Sequence, residues 1–440
     1  MSVVPYPEYK DSGVEWIGTI PTHWQLGRLS SLASVLNGFP FDATQFDPND
    51  GVPLVRIRDL NASTSAVFFR GDVVHEAFIT SDDVLIGMDG DFNVGRWKGA
   101  EPALLNQRMC CLRGPTDFIR FLEYALPKPL KLINDVTYST TVKHLSAGQV
   151  RNIRIAYPPS LPERFTILDF LDQETGKIDA LVAEQESLIA LLKEKRQAVI
   201  SQAVTKGLNP KAPMKDSGIE WLGQVPAHWE VKRLRFVAAF NPSKSEAAHL
   251  AEDAEVTFLP MEAIGEDGSL KLETTRPVGS VQSGYTYFRD GDVVIAKITP
   301  CFENGKGAVM HGLIGGLGFG TTELIVVRPH LDQVTARYLH MLFTSSLFRN
   351  PATAAMYGAG GQKRVPEDFV RDFVLALPSV AEQAEVVLFL DREIGKFDTL
   401  ITEATQAITL LRERRAALIS AAVTGKIDVR AFIPTTQEAA

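Results

Sequence analysis

Cysteine is scarce, with three residues in 440 (Cys110, Cys111 and Cys301). Two are adjacent and cannot easily bridge each other, and no CxxC spacing occurs, so a disulfide framework and a thiolate metal site are both excluded and three buried thiols are expected. No apolar run reaches the roughly 18 residues needed to cross a bilayer. The opening MSVVPYPEYK lacks the basic flank and long apolar stretch of a secretory signal, which points to a cytoplasmic chain with no membrane partner. Catalytic signatures are missing as well: there is no HExxH, GxSxG or metal-spaced Cys/His cluster. Gly305-Lys306 fails as a phosphate loop because Pro300 stands at the first glycine position and Gly307 at the Ser/Thr position. Gly316 to Gly320 (GLGFG) has the wrong spacing for a dinucleotide loop and reads as a strand-flanking turn. Asn241-Pro242-Ser243-Lys244 lacks the last two residues of the Asn-Pro-Pro-aromatic motif of amino-methyltransferases. No catalytic residue, metal ligand or cofactor is assigned to this chain.

What is present is a duplication. Residues 10 to 29, KDSGVEWIGTIPTHWQLGRL, return at 215 to 234 as KDSGIEWLGQVPAHWEVKRL, identical at twelve of twenty positions. FLDQETGKIDALVAEQ, from Phe170, returns as FLDREIGKFDTLITEA, from Phe389, 219 residues on. With 45% hydrophobic and 22% charged residues the chain is globular, and the repeat overrules a division by length alone.

Between the repeated phrases lie two dissimilar segments, about 30 to 155 and 235 to 375. Each holds short β-branched runs bounded by Gly, Pro and Asp (DVLIG from Asp83, DVVIAKI from Asp292, ELIVVRP from Glu323) and helical stretches, the clearest being 335 to 349. Asp83-Val84-Leu85-Ile86 parallels Asp292-Val293-Val294-Ile295, Asn106-Gln107-Arg108 sits where Thr321-Thr322-Glu323 sits, and Tyr138 corresponds to Tyr357. Helix starts are expected at Ser146 as N-cap and Pro366 as first helical residue.

The segments from Phe170 and Phe389 read as long helices, the first from about 174 to 205. Ile178, Leu181, Leu188 and Leu192 in the first, and Phe397, Leu400, Ile408 and Leu411 in the second, recur at helical spacing and are assigned to pairing of the two helices. The expected fold is α/β (α+β): two globular recognition domains separated by two long antiparallel, coiled-coil-like helices in a pseudo-twofold tandem repeat. The boundaries are 1–156 for the first domain, 157–210 for the first repeated helix, 211–376 for the second domain, 377–430 for the second helix and 431–440 for a tail. His23 and His228, beside tryptophans, read as packed or hydrogen-bonded structural residues.

These residues resemble the specificity subunit of type I restriction-modification enzymes, the HsdS family. The resemblance rests on KDSG(V/I)EW(I/L)G..P.HW twice, on the run Gly291 to Lys306 (GDVVIAKITPCFENGK), on Thr322-Glu323, on Pro378 to Gln383 (PSVAEQ) and on the two FLD helices. It covers essentially the whole chain. Arg164 departs from it at the position of Gln383, and Asp89-Gly90-Asp91 replaces the Ile-Thr-Pro-Cys run. The resemblance implies a non-catalytic subunit that recognises a bipartite, asymmetric double-stranded DNA site with one target recognition domain per half-site. It further implies that the helices set the separation of the domains and dock two modification subunits, that restriction (motor) subunits join through the complex, and that S-adenosylmethionine and ATP, absent from this chain, serve adenine-N6 methylation and DNA cleavage in those partners. The alternative is a stand-alone bivalent DNA-binding protein.

A net charge of −8 argues mildly against DNA binding, so cations must be local. Residues 128 to 154 hold five Lys or Arg against Asp135, including Lys143 beside His144. Gln362, Lys363 and Arg364, after Gly360 and Gly361, form a candidate reading or phosphate-clamping loop; the structural alternative is a solvated turn. Lys297, Thr299, Asn304, Lys306, Thr321 and Thr322 are further candidates that could instead cap strands. Asn106, Gln107 and Arg108 suit bidentate contacts to adenine or guanine edges, or the polar start of a strand. The basic runs 192 to 196 and 412 to 415 read as solvated helix faces.

Overall fold

A computed structural model describes residues 4–73, 75–137 and 142–433; Tyr138 and the last residues of the expected tail lie outside them. The chain forms two compact units, residues 1–185 with 406–440 and residues 186–405.

The first unit is built on two sheets. One is antiparallel, in the order Val94–Gly95, Val84–Gly87, Met109–Arg113, Ser34–Asn37. The other runs Phe46–Asp47, Phe68–Phe69, Val52–Val55, Ala103–Leu105, Phe78–Ile79, with its third and fourth strands parallel. Gln25–Arg28 pairs with Arg154–Tyr157, tying the beginning of the domain to its end. In the second unit the order Gly307–Val309, Val293–Ala296, Leu324–Pro329, Ala238–Phe240 repeats the first sheet. Thr275–Pro277, Glu255–Leu259, Leu317–Gly320, Thr286–Arg289 repeats four strands of the other, again with the middle pair parallel. Glu230–Arg233 with Val374–Leu377 repeats the tie. Strand order thus outlasts sequence similarity, because a strand needs only apolar residues that fit a pleated, buried surface.

One charged feature is kept in both sheets. Asp83, at the start of a strand buried on both faces, takes Arg113 Nε and Nη2 at 2.8 and 2.7 Å; Asp292 takes Arg328 Nε and Nη2 at 2.6 and 2.8 Å. Each carboxylate also accepts a backbone N–H, from Thr80 or Arg289. A buried carboxylate is tolerable only with such partners.

The long helices span Leu161–Lys206 and Val380–Val423, 46 and 44 residues, or about 69 and 66 Å at 1.5 Å per residue. The first therefore begins thirteen residues before the expected 174, because its opening turns are packed into the domain core: Ile167, Leu168 and Leu171 are fully buried. In the first unit its N-terminal part runs antiparallel to the end of the second helix, with Asp179 accepting Arg415 Nε at 2.8 Å and Phe170 packing edge-on against Phe432. In the second unit Arg196 and Asp398, each at the matching position, pair at 3.1 Å. Ile178, Phe397 and Ile408 are buried at these seams, while Leu192 and Leu411 are half-buried. Leu181, Leu188 and Leu400 remain 45, 42 and 46% exposed. A seam between two helices covers a narrower stripe than the apolar residues occupy.

Three smaller expectations are corrected. The stretch 335 to 349 is two helices, Ala336–Thr344 and Ser346–Ala354, divided at Ser345, whose side chain caps the second. Leu317–Gly320 is a strand rather than a turn: a Cβ on Gly318 or Gly320 would stand 2.9 or 2.8 Å from the carbonyl oxygens of Thr257 and Leu259, so glycine is what lets the parallel neighbour approach. Cys301 is only partly buried, whereas burial raises the Cys110 and Cys111 thiols to about 12. Ser146 is the N-cap of Ala147–Asn152, in a capping box with Gln149; Pro366 is the N-cap of Glu367–Asp372, one residue before its expected place.

The repeated phrases meet the helix starts. In the first unit Glu163, in the first turn of the long helix, accepts Trp24 Nε1 at 2.9 Å, His23 Nε2 at 3.0 Å and the Tyr6 hydroxyl at 2.9 Å. In the second, Glu382 accepts Trp229 Nε1 at 3.1 Å and His228 Nε2 at 2.8 Å. Both tryptophans are fully buried. The next residue locks the entry loop. Arg164 donates to the carbonyls of Pro158 and Pro159 and to Asp117, while Gln383 donates to those of Pro378 and Gln333 and accepts from Thr335 N–H. Arginine and glutamine do the same work here, which explains the departure at Arg164. Glu163→Ala strands buried donors and should destabilise the first unit by about 3 kcal/mol in urea unfolding followed by tryptophan fluorescence. Glu382→Ala should cost less, since Glu382 is 26% exposed and holds two donors rather than three; equal losses would contradict this account.

Candidate nucleic-acid interface

In each unit the end of the buried strand, the following loop and the segment before the short capped helix are joined by three equivalent backbone hydrogen bonds. In the first unit Met88 N donates to Arg108 O, Gly90 N to Lys143 O and Leu145 N to Met88 O, at 2.9, 3.0 and 2.7 Å. In the second, Lys297 N donates to Glu323 O, Thr299 N to Lys363 O and Val365 N to Lys297 O, at 2.9, 2.9 and 2.8 Å. The frame therefore sets Lys143 against Lys363, His144 against Arg364, Arg108 against Glu323 and Asp89 against Ile298. Only the lysine is common.

The side chains on this frame differ in charge and partner. In the first unit Asp89 accepts Arg108 Nη1 at 2.9 Å and His144 Nδ1 at 2.6 Å. Lys143 Nζ bonds the Asn134 carbonyl and side-chain oxygens, and the Asn134 amide reaches the Gly90 carbonyl. Arg108 is 60% exposed and keeps Nε and Nη2 outside its contact with Asp89. In the second unit Glu323 accepts Arg364 Nε at 2.9 Å and Nη2 at 2.6 Å, and these bonds hold its carboxyl below the usual glutamate range. The pairing is accordingly present at neutral pH and is lost only as pH falls below that range. Thr299 Oγ1 donates to the Gly361 carbonyl at 2.7 Å and accepts Lys363 N–H at 3.0 Å, while Gly360 and Gly361 take positive φ (+65° and +77°). This fixes the loop in place, with Lys363 and Gln362 exposed at its tip beside Tyr357, itself 67% exposed.

Of the residues singled out from sequence, Arg108, Lys143 and His144 are gathered in the first unit, and Thr299, Gln362, Lys363 and Arg364 in the second, with Lys297 joined through its backbone. Asn106 turns its side-chain oxygen onto the Arg108 N–H at 3.1 Å and Gln107 is exposed. Thr321 Oγ1 accepts Glu323 N–H, and Asn304 and Thr322 are exposed. Lys306 is committed elsewhere, its Nζ on the Met261 carbonyl at 3.0 Å. Sequence reasoning missed the two carboxylates, Asp89 and Glu323, that orient the cations. The signal was available: in an acidic chain, an arginine on a glycine loop calls for a counter-charge nearby. Among the described residues no cluster of His, Cys, Asp and Glu could hold a metal, and no helix is long and apolar enough to cross a membrane.

A guanidinium held on a carboxylate with N–H groups to spare, on a strand-end loop, can read purine edges or phosphates. Two such loops lie on the repeated α/β frame, one in each unit. The chain is similar to specificity subunits of type I restriction enzymes. Residues 21–189 match the type I restriction modification DNA specificity domain. The EcoBI specificity subunit of Escherichia coli is 25% identical over 445 residues, covering 96% of this chain and 90% of that protein. The EcoAI specificity subunit of Escherichia coli is 40% identical over 179 residues, 40% of this chain and 30% of that protein. The fold matches a solved chain from work on complex assembly and conformational transition of the type I R-M system, with TM-score 0.65 and 15% identity over 93% of this chain and 99% of that one.

Glu323→Gln removes the charge that holds Arg364. Amide hydrogen exchange in residues 357 to 365 should quicken severalfold while residues 142 to 150 stay unchanged; unchanged exchange at 357 to 365 would show that the glycine turn alone fixes the loop.

Proposed function

We propose that the chain is the DNA sequence-specificity subunit of a type I restriction-modification complex and reads an asymmetric bipartite duplex, one half-site per unit. The observation that carries this reading is the duplicated loop frame: three backbone hydrogen bonds are kept while the side chains on it change from Asp89, Arg108 and His144 to Glu323 and Arg364. A scaffold that preserves geometry and varies only what it presents suits two different base sequences.

The chain performs no chemistry in this reading. Methylation of adenine N6 with S-adenosylmethionine and ATP-driven cleavage belong to modification and restriction subunits, in the cytoplasm. Two modification subunits are supported by exposed leucines at repeated positions: Leu181 and Leu400 are 45 and 46% exposed, Leu191 and Leu410 60 and 65%. Apolar exposure that recurs at the repeat spacing suits one partner bound twice.

Replacing residues 235 to 375 with those of a relative should alter one half of the methylated motif, mapped by single-molecule sequencing of methylated adenines, and leave the other half intact. A swap that changes both halves overturns the division of labour. At single positions, Arg108→Ala should reduce discrimination at one base pair of one half-site by about 1 to 3 kcal/mol. Lys363→Ala, if its ammonium sits on phosphate, should weaken binding to all sequences and lower the salt slope by about one. An unchanged motif and affinity in both variants would make the loops structural.

A further inference from the structure

The first unit contains an open groove of about 1110 Å³ between the helices Thr116–Ala125 and Pro127–Val136 and the end of the second long helix. Seven Lys or Arg side chains line it against Glu123 and Asp172, an excess of five positive charges in a chain whose net charge is −8. Several are positioned by partners. Arg96 Nε meets Glu123 at 2.6 Å, Arg120 pairs with Asp172, and Lys128 Nζ bonds Ser420 Oγ at 3.2 Å and lies 6.0 Å over the Trp16 ring. Lys98 and Lys131 are exposed and make no side-chain hydrogen bond or ion pair with a described residue. A smaller groove continues from it past Lys131 to Asn134, the residue that carries Lys143 beside the Asp89 cluster; Asp91 and Asp135 line it, so the cation excess is confined to the larger groove.

The second unit has a smaller groove, of about 430 Å³, at the equivalent helix contact: Ser201, at the repeat position of Ser420, meets Ser346 Oγ at 2.8 Å as Ser420 meets Lys128. Its lining is Gln197, Glu303, Ser346, Arg349, Asn350 and Thr353, with no charge excess. The helix keeps basic residues in both repeats, Lys193 and Arg196 against Arg412 and Arg415, and Arg337 with Asp391 repeats Arg120 with Asp172, so the difference lies in Arg96, Lys98, Lys128 and Lys131.

We propose that the groove of the first unit seats the sugar-phosphate backbone of duplex DNA flanking the half-site read by the Asp89, Arg108 and His144 cluster, and that this unit supplies the larger share of the salt-dependent affinity. The inference rests on the function proposed above. Phosphates require clustered cations free to displace counterions, and Lys98 and Lys131 supply them. An acidic segment of a modification subunit is the less suited occupant, because a partner bound twice would meet this charge once.

The test uses the full chain assembled with its modification subunits, on duplexes that carry or lack the motif defined by adenine methylation in the host. The double variant Lys98→Ala with Lys131→Ala should reduce the slope of log affinity against log salt by about 1.8, some 0.9 for each phosphate that is no longer neutralised. Affinity should fall equally on both duplexes, and hydroxyl-radical protection should disappear beside the first half-site only. Asn350→Ala with Thr353→Ala, in the equivalent groove, should change neither. An unchanged slope with normal assembly overturns the proposal, as does an unchanged slope with weakened assembly, which would assign the groove to a protein partner. If the unaltered complex fails to distinguish the two duplexes, the underlying function fails instead, and that result is read before any variant is made.

Discussion

A glutamate at the first turn of each long helix, buried at Glu163 and partly buried at Glu382, is the contact on which the remaining geometry depends. Glu163 gathers a tryptophan, a histidine and a tyrosine; Glu382 gathers a tryptophan and a histidine. Each thereby fixes a helix of more than forty residues to the phrase that opens its domain. An unpaired carboxylate in that environment would be costly, so the donors must stay where they are. The repeated HW phrase and the Glu-Arg or Glu-Gln pair are two halves of one clamp, and their joint repetition is a physical requirement of attaching a helix rigidly to a sheet domain.

The duplication, the mixed strand and helix content of each half and the existence of both long helices were legible in the sequence, because each rests on a pattern of period two, 3.6 or about 219. The clamp was half legible: His23 and Trp24 were visible as structural, but their acceptor lies 139 residues beyond Trp24. Helix starts were misplaced because the opening turns of Leu161–Lys206 are buried on most sides and lose the amphipathic signal. The candidate interface was legible in its cations, Arg108, Lys143, Lys363 and Arg364, and not in the carboxylates that orient them. Lys306 illustrates the limit: its neighbours in sequence suggested a contact surface, and the fold commits its ammonium to the Met261 carbonyl.

Charge distribution separates two kinds of surface that composition merges. Features retained at the repeat spacing, such as Leu181 with Leu400 and Asp179–Arg415 with Arg196–Asp398, answer to whatever is common to both units. Features that break the repeat, such as Arg108 against Glu323, answer to what differs between them. An acidic chain can therefore bind a polyanion provided its cations lie in the second category and its acids elsewhere.

The first unit is closed by residues that follow the second unit in the sequence. Ala422, Val423, Ile427 and Val429 complete the core around Tyr6, Trp24 and Leu29, Lys426 Nζ bonds the Thr19 carbonyl, and Asp428 N–H bonds that of Val4. The second unit, residues 186–405, is continuous in sequence. During synthesis the second unit is thus whole before the first can seal its core, and the order of completion on the ribosome is the reverse of the order of the domains. A nascent chain stopped short of residue 422 would carry a finished second lobe and a first lobe with an open apolar seam, the kind of surface that holdase chaperones and proteases recognise. Quality control of the first unit is in this way placed on residues 422–429.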